Sequence, residues 1–132
     1  MEPTMELQTA TALFAVAAIG GLTMAGIRFS GRPRPPTWLA MFHGLLAAAG
    51  LTLLVYAALT VGVPPRAQLA AGLLVLAAVG GIVMNLVYHW QLRPLPIPLM
   101  LGHALLAVAG FVLSLQIPRL LVPRNLLHGI TA

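Results

Sequence analysis

Residues 43–50 read His-Gly-Leu-Leu-Ala-Ala-Ala-Gly, and residues 103–110 read His-Ala-Leu-Leu-Ala-Val-Ala-Gly. The similarity extends outward at the same offset of 60 residues, and 15 of the 41 positions from 13 to 53 are identical to their counterparts from 73 to 113. It includes a Gly-Gly pair on each side, Gly20-Gly21 and Gly80-Gly81. A histidine and a Gly-Gly pair shared at one fixed offset indicate that one structural unit occurs twice in tandem.

The composition of the chain predicts a membrane protein. Of its 132 residues, 60% are hydrophobic and only 7% are charged, whereas a soluble domain carries about 25% charged residues. The chain has no cysteine, which excludes disulfides and thiolate metal sites. The net charge of +5 comes from seven arginines set against Glu2 and Glu6. Because these arginines are spread over loops, they indicate membrane topology and lipid contact rather than nucleic-acid binding.

Four apolar runs are long enough to span a membrane, which takes about 20 residues: Leu7–Ile27, Trp38–Val61, Ala67–Trp90 and Ile97–Ile117. Proline-rich segments end the runs, and short connections make consecutive helices antiparallel neighbours. The predicted fold is an all-α integral membrane bundle of four helices, up-down-up-down, in one transmembrane domain over residues 1–132. Repeat one covers residues 7–61 and repeat two covers residues 67–117, related by a pseudo-two-fold axis along the membrane normal. An interfacial tail is expected over residues 118–132.

The first loop carries Arg28, Arg32 and Arg34, and the N-terminal tail carries no arginine. The positive-inside rule therefore predicts that both termini are outside and that the first and third loops are cytoplasmic. High Ala, Leu, Pro, Gly and Arg contents without lysine are typical of GC-rich bacteria and predict a bacterial inner membrane. The N-terminus lacks the basic start of a signal peptide, so the first helix is expected to be retained. Glu2 and Glu6 are expected to precede that helix, which disfavours ion-coupled transport through a buried acid.

His43 and His103 are the leading candidates for chemistry. Each is predicted to lie five residues into its helix, about 8 Å along the helix axis. Ionisable side chains at this depth are costly and usually functional. In this bundle the second and fourth helices are diagonal, so both imidazoles can approach the axis and fill the two axial positions of one haem iron. The alternative is that each histidine hydrogen-bonds across a helix interface.

Small and basic residues surround the predicted haem position. Gly20, Gly21, Gly80 and Gly81 are expected opposite the ring edges, where glycine permits close approach. Small residues lie one and two turns from each histidine and would leave space beneath the imidazoles. They are Ala47 and Gly50 after His43, and Ala107 and Gly110 after His103. The alternative for all of these is tight helix packing. Arg28, Arg34 and Arg93 are placed to pair with haem propionates, or else to orient the chain and contact lipid headgroups.

Two further groups of residues suggest other ligands. Met24 and Met84 are also duplicated, and together with His43 and His103 they could form a Cu(I) site. Asn85, Tyr88 and His89 have no counterparts in the first repeat and give a weak indication of a quinone headgroup site. Tyr88 and His89 are expected at the membrane interface, and Asn85 between helices.

With these histidines and glycines on four helices, the chain resembles the four-helix membrane b-type cytochromes in general plan. It also resembles uncharacterised small bacterial four-helix membrane proteins with a repeated Gly-Gly … His-x-Leu-Leu-Ala pattern. The first resemblance implies one haem b and electron transfer rather than an enzyme with its own substrate. The better-known diheme members use two histidine pairs, and here one pair is clearly intramembrane. Expected partners are membrane lipid and a quinone or redox protein, with a homo-oligomer or larger complex as assembly. The alternatives are a cofactor-free accessory or scaffolding subunit, and a Cu(I) or small-solute carrier.

Overall fold

The computed structural model describes residues 3–60 and 63–116, with side chains from residue 5 onward. This part of the chain contains four helices: α1 (Pro3–Phe29), α2 (Thr37–Thr60), α3 (Pro65–Val83) and α4 (Ile97–Ser114). α3 continues directly into a π-helical turn, Met84–His89. The four predicted helices are confirmed. The predicted tail, together with residues 61 and 117 at the ends of two predicted runs, lies outside the described residues.

Prolines determine where three of the helices begin. The carbonyl groups of Pro36, Pro64 and Pro96 accept the first backbone hydrogen bonds of α2, α3 and α4, from Leu39 at 3.1 Å, Ala67 at 2.8 Å and Met100 at 3.1 Å. Proline suits a helix start because its fixed φ is already helical and its missing N–H is not needed there. The first loop turns through Gly31, whose φ of +92° is readily adopted only by a residue without a side chain.

The helices are long and apolar enough to cross a bilayer, with candidate spans of 18 to 25 residues. Large apolar side chains point outward: Ile19, Leu69 and Leu105 are 66%, 56% and 72% exposed and do not line the space between the hairpins. The buried side of each helix is instead rich in alanine and glycine, such as Ala57 and Ala67. Close packing through small residues with leucine facing outward is the arrangement expected of helices in lipid, so the fold is that of an integral membrane bundle.

The bundle consists of two hairpins with the same internal packing. α1 packs mainly on α2 and α3 mainly on α4, and α2–α3 and α1–α4 form the looser seams between hairpins. Hence α2 and α4 are diagonal, as expected. The buried positions repeat at the offset of 60, for example Phe14 with Leu74 and Ala17 with Ala77. The predicted tandem repeat is therefore present in the packing as well as in the sequence.

Glu6 corrects one expectation from the sequence. It does not precede the first helix but lies in the first turn of α1, inside the candidate span Met5–Phe29. Its side chain is 7% exposed. The helix starts at Pro3 because proline at the N-terminal end nucleates a helix, and an acidic residue in the first turn is favoured by the helix dipole.

Candidate functional site

His43 and His103 are held in the same way, each by the neighbouring helix of its own hairpin. Nδ1 of His43 lies 2.8 Å from the carbonyl oxygen of Ala17, and Nδ1 of His103 lies 2.7 Å from that of Ala77. A carbonyl oxygen can only accept, so Nδ1 carries the proton and donates it. In the neutral form of each ring this leaves Nε2 unprotonated, with a lone pair that can bind a metal ion.

The Gly-Gly pairs make these hydrogen bonds possible. Side chains three and four residues further along a helix flank a given carbonyl group, and for Ala17 those positions are Gly20 and Gly21. A Cβ atom on Gly21 would lie 3.2 Å from Cε1 of His43, and one on Gly81 would lie 3.4 Å from Cε1 of His103. The glycines therefore expose a backbone carbonyl to the imidazole of the neighbouring helix. We call each set of one alanine and two glycines an imidazole seat.

The two seats bring the imidazoles together across the bundle. The ring centroids of His43 and His103 are 6.2 Å apart, and the ring planes are inclined by 72°. A metal–imidazole bond is about 2.0 Å long, so two rings bound to opposite sides of one metal ion have their centres about 6 Å apart. The separation of the two rings is thus that of a pair of ligands sharing one ion.

Both histidines line a cavity of 1010 Å³ between the hairpins. Its walls near the histidines are small residues, including Ala17, Gly21, Ala47 and their counterparts Ala77, Gly81 and Ala107. The space is partly open at its sides, so in a membrane either lipid chains or a bound ligand would fill it. Contact of Gly21 and Gly81 with the edge of a bound ring remains a prediction.

Gly50 and Gly110 lie on the same helix face as the histidines but pack against neighbouring helices. A Cβ atom on Gly50 would lie 3.0 Å from Phe14, and one on Gly110 would lie 2.6 Å from Leu74. These contacts agree with the alternative interpretation of the two glycines, which is close helix packing.

Of the loop arginines, Arg28 is the one that lines the cavity. Its Nε donates to the carbonyl oxygen of Leu95 at 3.0 Å, which links α1 to the loop before α4. Arg32 and Arg93 are exposed and Arg34 is partly buried. A role for Arg34 or Arg93 in binding propionates remains a prediction, and Arg28 is the arginine that the fold brings to the cavity.

His89 was predicted at the membrane interface; that depth stays a prediction, and the structure adds that its side chain faces the inside of the bundle. It is 6% exposed, lines the cavity, and has Nε2 3.1 Å from the hydroxyl oxygen of Thr37. Its inward position follows from the π-helical turn, in which Trp90 N–H donates to Asn85 O five residues back. A π-helical turn adds one residue to the helix, so the residues after it face a different side. The sequence contained one indication of this inward position. Arg28, the polar residue at the end of the first helix, aligns at the offset of 60 with Tyr88, which directly precedes His89.

Met24 and Met84 also line the cavity, on diagonal helices. Soft thioether sulfur with imidazole suits Cu(I), and a Cu(I) site formed by these methionines with the two histidines remains a prediction. Comparison with protein-family models, with curated proteins and with solved structures found no match.

Proposed function

We propose that the protein is a membrane-embedded b-type cytochrome that binds one haem between His43 and His103 and transfers electrons. One observation supports this above all others. Two imidazoles, each fixed through Nδ1–H by a backbone carbonyl, lie 6.2 Å apart across a cavity on diagonal helices. His43 and His103 would hold the iron of a haem bound between them, and the haem would supply one-electron chemistry.

The size of the cavity favours haem over a bare metal ion. Pockets for cofactor-sized ligands measure about 300–1,000 Å³, and this cavity measures 1010 Å³. Its walls are mostly aliphatic, so a flat apolar ring would bury its faces there, and burial of apolar surface contributes about 25 cal/mol per Å².

In the proposed mechanism, the chain provides ligation and a dry environment. When bound, the haem iron supplies reversible one-electron chemistry. The two carbonyl groups hold the imidazoles in one tautomer and one orientation and raise the basicity of Nε2. The mostly aliphatic walls and the two histidines would together set the reduction potential of a haem bound there.

The test is the visible spectrum of the full chain purified from cells supplied with haem. A low-spin spectrum with a reduced-minus-oxidised difference is expected. H43A and H103A should each abolish it, because either change leaves the iron with one axial imidazole. F42A is the matched control, since Phe42 is next to His43 but is 52% exposed on the outer surface. A colourless protein, or H43A and H103A proteins with an unchanged spectrum, would refute the proposal.

A Cu(I) site is the second candidate, because Met24 and Met84 line the same cavity as the two histidines. Purified protein with stoichiometric copper and no haem, from which M24L and M84L remove the copper, would establish it. A folded, monodisperse chain that carries neither iron nor copper and copurifies with other membrane subunits would favour the accessory-subunit alternative.

The proposed location is the bacterial inner membrane, with the first and third loops in the cytoplasm. Each histidine follows one of these loops, His43 in α2 and His103 in α4. The site therefore lies toward the loop side of the bundle, and electrons would enter or leave there. This favours exchange with a redox protein or quinone on one side over transfer across the whole membrane.

A further inference from the structure

The apolar cavity has a polar end toward the first and third loops. Arg28, Asn85 and His89 line it there, beside the arginine-rich first loop. Arg28 lies seven residues beyond Gly21 on α1, which is about 10 Å along the helix axis. The polar end is thus about two helical turns from the imidazoles and opens toward the loops.

Arg28 and His89 occupy matching positions in the two repeats, although the sequence offset does not show it. At an offset of 60, Arg28 aligns with Tyr88, which does not line the cavity. The π-helical turn adds one residue to the third helix, so the inward position passes from Tyr88 to His89. Each hairpin therefore contributes one basic side chain to the same end of the cavity, from the diagonal helices α1 and α3.

Both side chains keep hydrogen-bonding capacity for a ligand. Arg28 uses Nε for the carbonyl of Leu95, and within residues 3–60 and 63–116 its terminal amino nitrogens have no hydrogen-bond partner. The ring of His89 contacts Thr37 through Nε2, and in the same part of the chain its buried Nδ1 is unpaired. Buried ring nitrogens without a partner are rare in native proteins, and a ligand bound at that nitrogen would satisfy it.

We propose that Arg28 and His89 together bind the acid groups of the haem and so fix which edge of the ring faces the loops. This inference rests on the proposed function. A guanidinium and an imidazole are hydrogen-bond donors that suit carboxylates, and charge-assisted bonds of this kind are stronger than neutral ones. The proposal gives the role of binding the acid groups to Arg28 and not to Arg34 or Arg93, because neither of those two lines the cavity.

The experiment compares two probes on the haem-free full chain in lipid nanodiscs: iron protoporphyrin IX and its dimethyl ester, in which both acid groups are blocked. Binding is followed by the low-spin spectrum. The wild type should bind the acid form at least tenfold more tightly than the diester, because each charge-assisted bond contributes about that factor. In the R28Q/H89Q protein the preference should fall to near unity.

R32Q is the matched control: it removes one exposed arginine of the first loop and should keep the full preference. Any difference in partitioning of the two probes into lipid is the same for every variant, so it cancels when the preferences are compared. The comparison of the two probes on the wild type does not depend on whether any variant folds. Equal binding of both probes by the wild type, or an undiminished preference in R28Q/H89Q, overturns the inference and leaves the proposed function intact. Failure of the wild type to bind either probe overturns both.

Discussion

The imidazole seat predicts how strongly haem affinity depends on Gly21. In G21A the new Cβ atom would lie 3.2 Å from Cε1 and 3.6 Å from Nδ1 of His43. To restore ordinary contact the ring must withdraw by a few tenths of an ångström, which stretches the 2.8 Å hydrogen bond to Ala17 toward the limit of about 3.2 Å. Loss of such a bond costs about 0.5–1.5 kcal/mol, which corresponds to a two- to twelvefold loss of haem affinity.

G21V is the stronger change, because it adds two methyl groups to a Cβ atom that would already lie 3.2 Å from Cε1 of His43. The affinity should then fall by about 10- to 100-fold, the range found when the partner of a metal-bound histidine is removed. G26A is the matched control, since Gly26 lies on the same helix and a Cβ atom there would contact nothing within 4 Å. The assay is haem titration of the haem-free chain in nanodiscs, with helicity measured by circular dichroism. If folded G21V binds haem within twofold of wild type, the seat does not position the ligand.

Three other outcomes are expected. G110A should destabilise the protein by about 1–3 kcal/mol in reversible SDS unfolding, because its Cβ atom would lie 2.6 Å from Leu74. G102A is the control and should be neutral or stabilising, because a Cβ atom there would meet nothing within 4 Å. Equal effects of the two substitutions would contradict close packing at Gly110. T37V should cost about 1–3 kcal/mol, because the buried ring of His89 then loses its hydrogen bond; an unchanged unfolding midpoint would show that this bond contributes nothing. Since the chain has no cysteine, an impermeant thiol reagent on intact cells should label Q68C and spare S30C; the opposite pattern would invert the topology.

The four helices and the pairing of His43 with His103 could be predicted because both depend on local information. The length of an apolar run determines whether a helix can span, proline ends it, and a histidine repeated at a fixed offset occupies equivalent positions in two equivalent hairpins. The diagonal arrangement of α2 and α4 then follows from the short loops.

The contacts of the glycines depend on how the helices cross, and the inward position of His89 depends on a π-helical turn. The periodicity of apolar residues in the sequence shows neither feature. Which helix a glycine faces is determined by how two helices cross, so the contact of Gly20 and Gly21 with the imidazole of His43 could not be predicted from the sequence. The π-helical turn Met84–His89 changes which residues face inward, but it leaves no gap when the two repeats are aligned at the offset of 60. The alignment therefore does not show it. The position of Glu6 was missed because a helix can begin before its apolar run does.

The repeated imidazole seats suggest what preceded the present chain. Each hairpin holds one histidine with its own alanine and glycines, so two copies of a half-length protein could assemble the pair as a homodimer with true two-fold symmetry. Such a dimer would have the same basic residue on both sides of its loop end. A single polypeptide is free of that constraint, and the π-helical turn in its third helix lets arginine lie on one side and histidine on the other.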